Sequence, residues 1–396
     1  MNKKVYIVSA CRTPIGKMGS ALSSMSAVNL GAIVVEEVVK RSGIKADNVE
    51  HVYMGCVIQA SLGQNVARQV ALKAGLPFSV TAETINVVCG SGLDSVNQAA
   101  RMIQSGDVDV VVAGGMESMS NAPYALKQAR FGYRMGNADL IDTMVIDALW
   151  DAENDYHMGI TAENIAKKWN LTREELDLYA AASQQKACKA MEEGVFEEEI
   201  VSVAVKVKNQ EILVNKDEGP RQNTTTKSLA RLKPVFKRDG IVTAGNSSGI
   251  NDGAAAVLLV SEDKVKAFSL KPMAEWMGGA LGGVAPEIMG IGPVESTKKL
   301  MKSLGMAIED IDLIEVNEAF AAQSIAVQKE LNISSEKLNI HGGAIALGHP
   351  VGASGCRILV TLLYAMKREN VKTGLATLCI GGGMGCSTIV RRVDIC

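Results

Sequence analysis

Asp107-Val108-Asp109-Val110-Val111-Val112-Ala113-Gly114-Gly115-Met116 is an apolar run of strand length that ends in Gly-Gly-Met. A second such run stands at Gly374-Leu375-Ala376-Thr377-Leu378-Cys379-Ile380-Gly381-Gly382-Gly383-Met384. An earlier pair of markers keeps the same order. Asp47-Asn48-Val49-Glu50-His51-Val52-Tyr53-Met54-Gly55 and Glu309-Asp310-Ile311-Asp312-Leu313-Ile314-Glu315-Val316-Asn317 each read as an acidic turn followed by an alternating strand. Between the markers, each half has a Gly-rich turn feeding a helical pattern. In the first half it is Cys89-Gly90-Ser91-Gly92, then Leu93, Val96, Ala100 and Ile103 on one face. In the second it is Gly348-His349-Pro350-Val351-Gly352, then Ile358, Leu359, Leu362 and Met366. The offset between copies is about 260–270 residues, far too long for a solenoid repeat.

Two copies of one α/β unit explain this pattern. Continuous apolar strands alternating with helices predict a mostly parallel sheet, buried on both faces. The expected fold is α/β, with two similar βαβ-type halves and an inserted mixed loop domain. Residues 1–118 and 250–270 form the N-terminal half, 119–249 the insert and 271–396 the C-terminal half. The insert shifts in composition. It holds every Trp except Trp276, and charged helical stretches such as Thr172-Arg173-Glu174-Glu175-Leu176-Asp177. There Thr172 and Glu175 have the spacing of a capping box.

Composition narrows the function. The 396 residues carry a net charge of -2, without the basic excess of a nucleic-acid binder. Aromatics make up 4%, too few for base-stacking platforms. The eight cysteines include no CxxC pair, which argues against a zinc ribbon or a thioredoxin-type motif. The N-terminus lacks a signal-peptide pattern, and no segment approaches the roughly 18 apolar residues that span a bilayer. A cytoplasmic protein with reduced thiols is expected, without nucleic-acid or membrane partners.

Cys89 stands out as a nucleophile. It follows a strand pattern, Thr84 to Val88, and precedes a helix. A thiol at a helix N-terminus meets unpaired N–H groups and the positive end of the dipole, which predicts a lowered pKa. His349, held in a Gly-rich turn before a helix, is poised to act as a base, with His341 as its nearest competitor. Cys379 ends a buried strand that the repeat aims at the same crevice as Cys89, where open α/β sheets bind ligands. Cys386 reads as structural, and Cys396 as exposed and incidental. Gly245-Asn246-Ser247-Ser248-Gly249 matches a serine-hydrolase elbow, but a strand pattern, Ala254 to Val260, follows where a helix is required. No G-x-G-x-x-G is complete after either Gly-rich turn, which removes a dinucleotide fingerprint.

Taken together, Asn86-Val87-Val88-Cys89-Gly90-Ser91-Gly92, Asn317-Glu318-Ala319-Phe320-Ala321, Gly342-Gly343-Ala344-Ile345-Ala346-Leu347-Gly348-His349-Pro350-Val351-Gly352 and Cys379-Ile380-Gly381-Gly382-Gly383 resemble the thiolases. The likeness runs from Arg12-Thr13-Pro14 to Gly383, and Asp155-Tyr156-His157-Met158-Gly159 is similar to the short-chain, biosynthetic branch. The resemblance implies a thiolase-like fold layered α/β/α/β/α. It also implies a ping-pong acyl transfer: two acetyl-CoA give acetoacetyl-CoA and CoA, reversibly, through an acetyl-cysteine.

In that scheme Cys89 is the nucleophile, His349 takes its proton, and Cys379 removes a proton from the second acetyl-CoA. Asn317 holds a water that, with His349, makes one oxyanion site. The N–H groups of Cys89 and Gly381 make the other, and His157 is a secondary polar group. The insert binds the coenzyme through Arg221, Ser228 and Ser248. Leu149, Met158, Met289, Ala319 and Phe320 close the acyl pocket. Lys227, where relatives often carry an acidic residue, blurs the alignment of the coenzyme loop. No cofactor or metal is implied, since the CoA thioesters are substrates, and the family is usually a homotetramer built as a dimer of dimers. A longer-chain 3-ketoacyl-CoA thiolase is the alternative enzyme. A ketoacyl synthase fits less well, because Cys379 takes the place of one of its histidines. An inactive acyl-CoA-binding scaffold would lack a catalytic residue, yet all four are present.

Overall fold

The structure is a computed structural model and describes residues 3–208 and 210–393. Nine strands form its main sheet: β1 (Val5–Arg12), β2 (His51–Gly55), β3 (Thr81–Ile85), β4 (Val110–Ser118), β5 (Asn251–Ser261), β6 (Ala274–Gly283), β7 (Leu313–Val316), β8 (Thr373–Ile380) and β9 (Met384–Arg392). Their spatial order is β7-β8-β9-β6-β1-β5-β4-β2-β3, and the two-residue strand Gly16–Lys17 adds to β5.

The internal repeat is written in the strand pairing. In the first half β2 runs parallel to β4, β4 antiparallel to β5, and β5 antiparallel to β1. In the second half β7 runs parallel to β8, β8 antiparallel to β9, and β9 antiparallel to β6. The halves join where Val5–Ile7 of β1 lies antiparallel to Ala274–Trp276 of β6. The sheet is therefore mixed, which corrects the mostly parallel sheet expected from the sequence. Only β2–β4, β2–β3 and β7–β8 are parallel. An unbroken apolar run reports burial on both faces, as in β4 and β5 where every residue is buried. It carries no information on direction. Direction follows from the connections: the tight turn at residues 381–383 sends β9 straight back along β8.

Seven helices matter for the site: α1 (Ala27–Ser42), α2 (Ser91–Ser105), α3 (Met158–Lys168), α4 (Arg173–Glu192), α5 (Gly292–Leu304), α6 (Ala321–Glu330) and α7 (Val351–Arg368). α1 covers β1, β4 and β5 from outside, and α5 covers β6, β8 and β9. α2 and α7 lie in the middle, each against strands of both halves. This is the α/β/α/β/α layering. Its central position explains why α7 is buried all round from Val351 to Met366, mostly apolar with Ser354, Arg357 and Thr361 among its buried residues.

The two central helices start side by side because glycines let their backbones touch. A Cβ on Gly115 would lie 2.0 Å from the Gly352 carbonyl oxygen, and one on Gly92 would lie 2.8 Å from it. Any side chain there would push the two helix starts apart, together with the turns that precede them. The segment between β4 and β5 is tied to this body by Arg12, which is fully buried. Its Nε donates to Glu199 at 2.5 Å, and its two Nη groups donate to Asp217 at 2.7 and 2.9 Å. α4 begins with the capping box at Thr172 and Glu175. Cys386 is buried on β9, while Cys396 lies outside the described residues. Among the described residues, no helix is long and apolar enough to cross a membrane.

Candidate active site

Cys89 sits in the turn between β3 and α2. The residue before it, Val88, has φ +48°, a left-handed conformation that is strained for a β-branched side chain. Ser91 holds this turn: its Oγ accepts from the Val87 N–H at 3.0 Å and donates to the Val88 carbonyl at 2.6 Å. Strain held by such local bonds fixes where the sulfur points. Burial pushes the Cys89 thiol up to about 11, against the pull of the Gly381 and Cys89 N–H groups directed at the sulfur. The Glu117 carboxylate adds to the rise. The lowered pKa expected at a helix N-terminus is thus corrected. Desolvation outweighs the N–H groups, and the resting site holds a thiol that needs a base.

That base is at hand. His349 lies just before α7, and its backbone N–H donates to Asn251 Oδ1 at 2.9 Å. Burial and the nearby Arg357 guanidinium hold the imidazole down to about 3, so the ring is neutral and able to accept a proton. Asn317 follows β7, with its Nδ2 3.4 Å from His349 Nδ1. Its Oδ1 is buried without a protein partner and can still accept a hydrogen bond. Cys379, on β8, is buried, and burial followed by the charge of Cys89 raises its thiol far above the usual range. The two thiols are thus within electrostatic reach of one another.

A cavity of about 490 Å³ opens onto Cys89 and His349. Cys89 and His349 line it together with His157, Arg221 and Ser248. Leu149, Met158, Met289, Ala319 and Phe320 supply its apolar wall. A second cavity of about 220 Å³ shares Arg221, Ser247 and Gly249 with the first, and the two form one trench. His157 is fixed as well as placed. It caps α3 with Nδ1 accepting the Gly159 N–H at 3.0 Å, which leaves its proton on Nε2. Its ring stacks on Phe236 at 4.7 Å. Gly159 permits that stack, since a Cβ there would lie 2.2 Å from the Phe236 ring.

The thiolase N-terminal domain family matches residues 5–263, and the thiolase C-terminal domain family matches residues 270–392. The chain belongs to the thiolase family. This thiolase is 53% identical to an acetyl-CoA acetyltransferase of Syntrophomonas wolfei, over 99% of this chain and 100% of that one. It is 54% identical to an acetyl-CoA acetyltransferase of Chromobacterium violaceum, over 98% of this chain and 100% of that one. The crystal structure of the Bacillus anthracis acetyl-CoA acetyltransferase superposes with a TM-score of 0.97 at 44% identity, covering 99% of both chains.

The thiolase cavity brings together nearly all the residues singled out from the sequence. Asn317 and Cys379 are buried rather than lining it, and Gly381 reaches Cys89 through its N–H. Ser228 is not brought in. It is exposed, and its hydroxyl caps a short helix, accepting from the Thr225 N–H and donating to the Thr225 carbonyl. His341 lines a separate cavity with Lys186 and Glu336. Ser247 of the apparent hydrolase motif donates to the Thr243 carbonyl at 2.8 Å, and its loop enters β5, not a helix. Phe236, Met119 and Val235 line the cavity without having been read from the sequence. Phe236 lies in an irregular stretch, where periodicity gives no signal. Among the described residues, no group of three or more His, Cys, Asp or Glu could hold a metal ion.

Proposed function

We propose that this thiolase is an acetyl-CoA C-acetyltransferase, carrying two acetyl-CoA to acetoacetyl-CoA and CoA and back. The observation that carries the reading is Cys89 and a neutral His349 lining one apolar cavity, with the buried Cys379 thiol close enough for Cys89 to shift its ionisation. The names of the full-length relatives support the choice of acetyl-CoA.

The reaction follows from the groups present. Cys89 gives its proton to His349 as the sulfur attacks the thioester carbonyl. The carbon–sulfur bond to CoA breaks, and the leaving sulfur takes the Cys379 proton. Acetyl-Cys89 and a Cys379 thiolate remain. That thiolate removes a proton from the methyl of a second acetyl-CoA, and the carbanion attacks acetyl-Cys89. Acetoacetyl-CoA leaves, and Cys89 recovers its proton from His349. The N–H groups of Cys89 and Gly381 face the first oxyanion. His349, with a water held by Asn317, faces the enolate oxygen of the second acetyl-CoA. Each such donor is worth about 3 kcal/mol of barrier. Met158 closes the acyl end: a Cβ on Gly381 would lie 3.4 Å from its sulfur. Arg221 and Ser248 serve the coenzyme along the trench, with no cofactor required. A cytoplasmic location suits reduced catalytic thiols.

The test is thiolysis of 3-ketoacyl-CoA chains of increasing length. The four-carbon substrate is expected to react at least about tenfold faster than the six-carbon one, the discrimination a tight apolar pocket achieves per added methylene pair. Equal rates up to ten carbons would favour the broad-chain thiolase instead.

A homotetramer goes with this reading. Tyr124–Ala125 and Ile141–Asp142 pair as a small hairpin, and the loop between them exposes Phe131, Met135 and Leu140 at 89%, 98% and 64%. Large apolar side chains this exposed mark an association surface. Light scattering is expected to find a tetramer for the wild type and a dimer for Phe131→Asp/Met135→Asp. A tetrameric double variant would overturn the assignment of this loop.

A further inference from the structure

We infer that Ser354 is a positioning residue which keeps a proton on His349 Nδ1, so that Nε2 is the atom free to exchange protons with Cys89. The inference rests on the proposed role of His349 as the base and adds the device that sets its tautomer.

Ser354 sits in the first turns of α7, fully buried. Its Oγ lies 2.6 Å from His349 Nδ1 and 2.9 Å from the Pro350 carbonyl oxygen. A hydroxyl has one proton to give and lone pairs to accept with. The Pro350 carbonyl can only accept. When Ser354 donates to Pro350, its oxygen is left to accept from Nδ1–H. The chain then runs in one sense, from Nδ1–H through Ser354 Oγ–H to the carbonyl. A neutral imidazole with its proton on Nδ1 carries its lone pair on Nε2, the state a base requires.

Two other groups act on this ring. Asn317 Nδ2, on the segment after β7, is 3.4 Å from Nδ1 and would favour the opposite tautomer. Its contact is longer and weaker than that of Ser354. Arg357, further along α7, disfavours a positive ring. Once His349 has taken the Cys89 proton, the ring is cationic, buried, beside Arg357 and at the N-terminal end of a helix. All of these oppose the charge. The Ser354–Pro350 chain is then the acceptor path for Nδ1–H while the ring waits to return its proton. The arrangement follows nucleophile, base and orienting group, with a hydroxyl relaying to a carbonyl in place of a carboxylate.

Four histidines in the chain make the test tractable. Nitrogen NMR of the histidine-labelled enzyme reads the tautomer directly, with the His349 signals assigned by their loss in His349→Ala. The wild type is expected to show Nδ1 protonated. Ser354→Ala is expected to lose that preference and to lower kcat by about 10- to 100-fold, with KM for acetoacetyl-CoA within about twofold. Ser354→Thr, which keeps the hydroxyl, is expected to restore both. A wild-type proton on Nε2 would overturn the inference without any variant, as would a Ser354→Ala enzyme with wild-type kcat or an unchanged tautomer. Full activity in His349→Ala would instead remove the role of His349 itself.

Discussion

Cys89→Ala is expected to lose thiolysis and condensation together, with kcat/KM down by at least about 10⁴, equivalent to about 5.5 kcal/mol of transition-state stabilisation. The size follows from the chemistry. Without the sulfur there is no acyl-enzyme, and the alternative is a direct attack of one CoA thioester on another, which needs two whole coenzyme thioesters in the site at once. The remaining donors, including the Gly381 N–H, would face an oxyanion that no longer forms. The fold should tolerate the change. Alanine keeps the Cβ, the Ser91 bonds that hold the turn do not involve the sulfur, and the stability cost is about 1 kcal/mol. Steady-state assay with acetoacetyl-CoA and CoA, beside a thermal melt, checks both halves. A folded Cys89→Ala enzyme retaining a tenth of the activity would mean that acyl transfer does not pass through this residue.

Cys379→Ala is expected to separate the half-reactions. Condensation needs a proton removed from a methyl group, and no other base is assigned to that step, so it should fall by about 10⁴. Acetyl exchange between acetyl-CoA and labelled CoA turns on Cys89 and His349, and uses Cys379 only to protonate the leaving sulfur. The leaving thiolate is stable enough to depart with little help, since free thiols ionise near 8.5, and exchange should fall by about tenfold at most. The contrast between the two assays is the diagnostic. Equal losses in both would show that Cys379 supports the first step as strongly as the second, and the division of labour would fail.

The repeat was legible because each half spends its glycines at the same places, at the start of a central helix and at the end of a central strand. Strand direction was not, because helices on both sides of β4 and β5 make their residues apolar whatever the direction of their neighbours. Asn317 was reached only through the resemblance to the thiolases, whereas Cys89, His349 and Cys379 could be singled out because each is a reactive side chain beside a glycine-rich segment. Ser354 could not, since a serine one turn into a helix most often bonds its own backbone. Only the 2.6 Å approach to His349 gives it a further role. The misreading of the Cys89 pKa has a plain cause. A helix N-terminus is visible in sequence, but the desolvation that overrides it depends on tertiary packing, such as Ile380 lying against Gly90 and Met158 and Val88 lying near Gly381. The place of Ser228 outside the cavity was not legible for a similar reason. Its hydroxyl is spent on the cap of a short helix whose geometry the sequence alone does not reveal.

The most direct test of the whole account is peptide mass spectrometry after brief mixing of the wild-type enzyme with acetoacetyl-CoA in the absence of free CoA, followed by acid quench. The account predicts one acetyl group on the peptide that carries Cys89 and none on the peptide that carries Cys379. An unmodified Cys89 peptide in enzyme that turns over, or an acetyl group on Cys379, would contradict it.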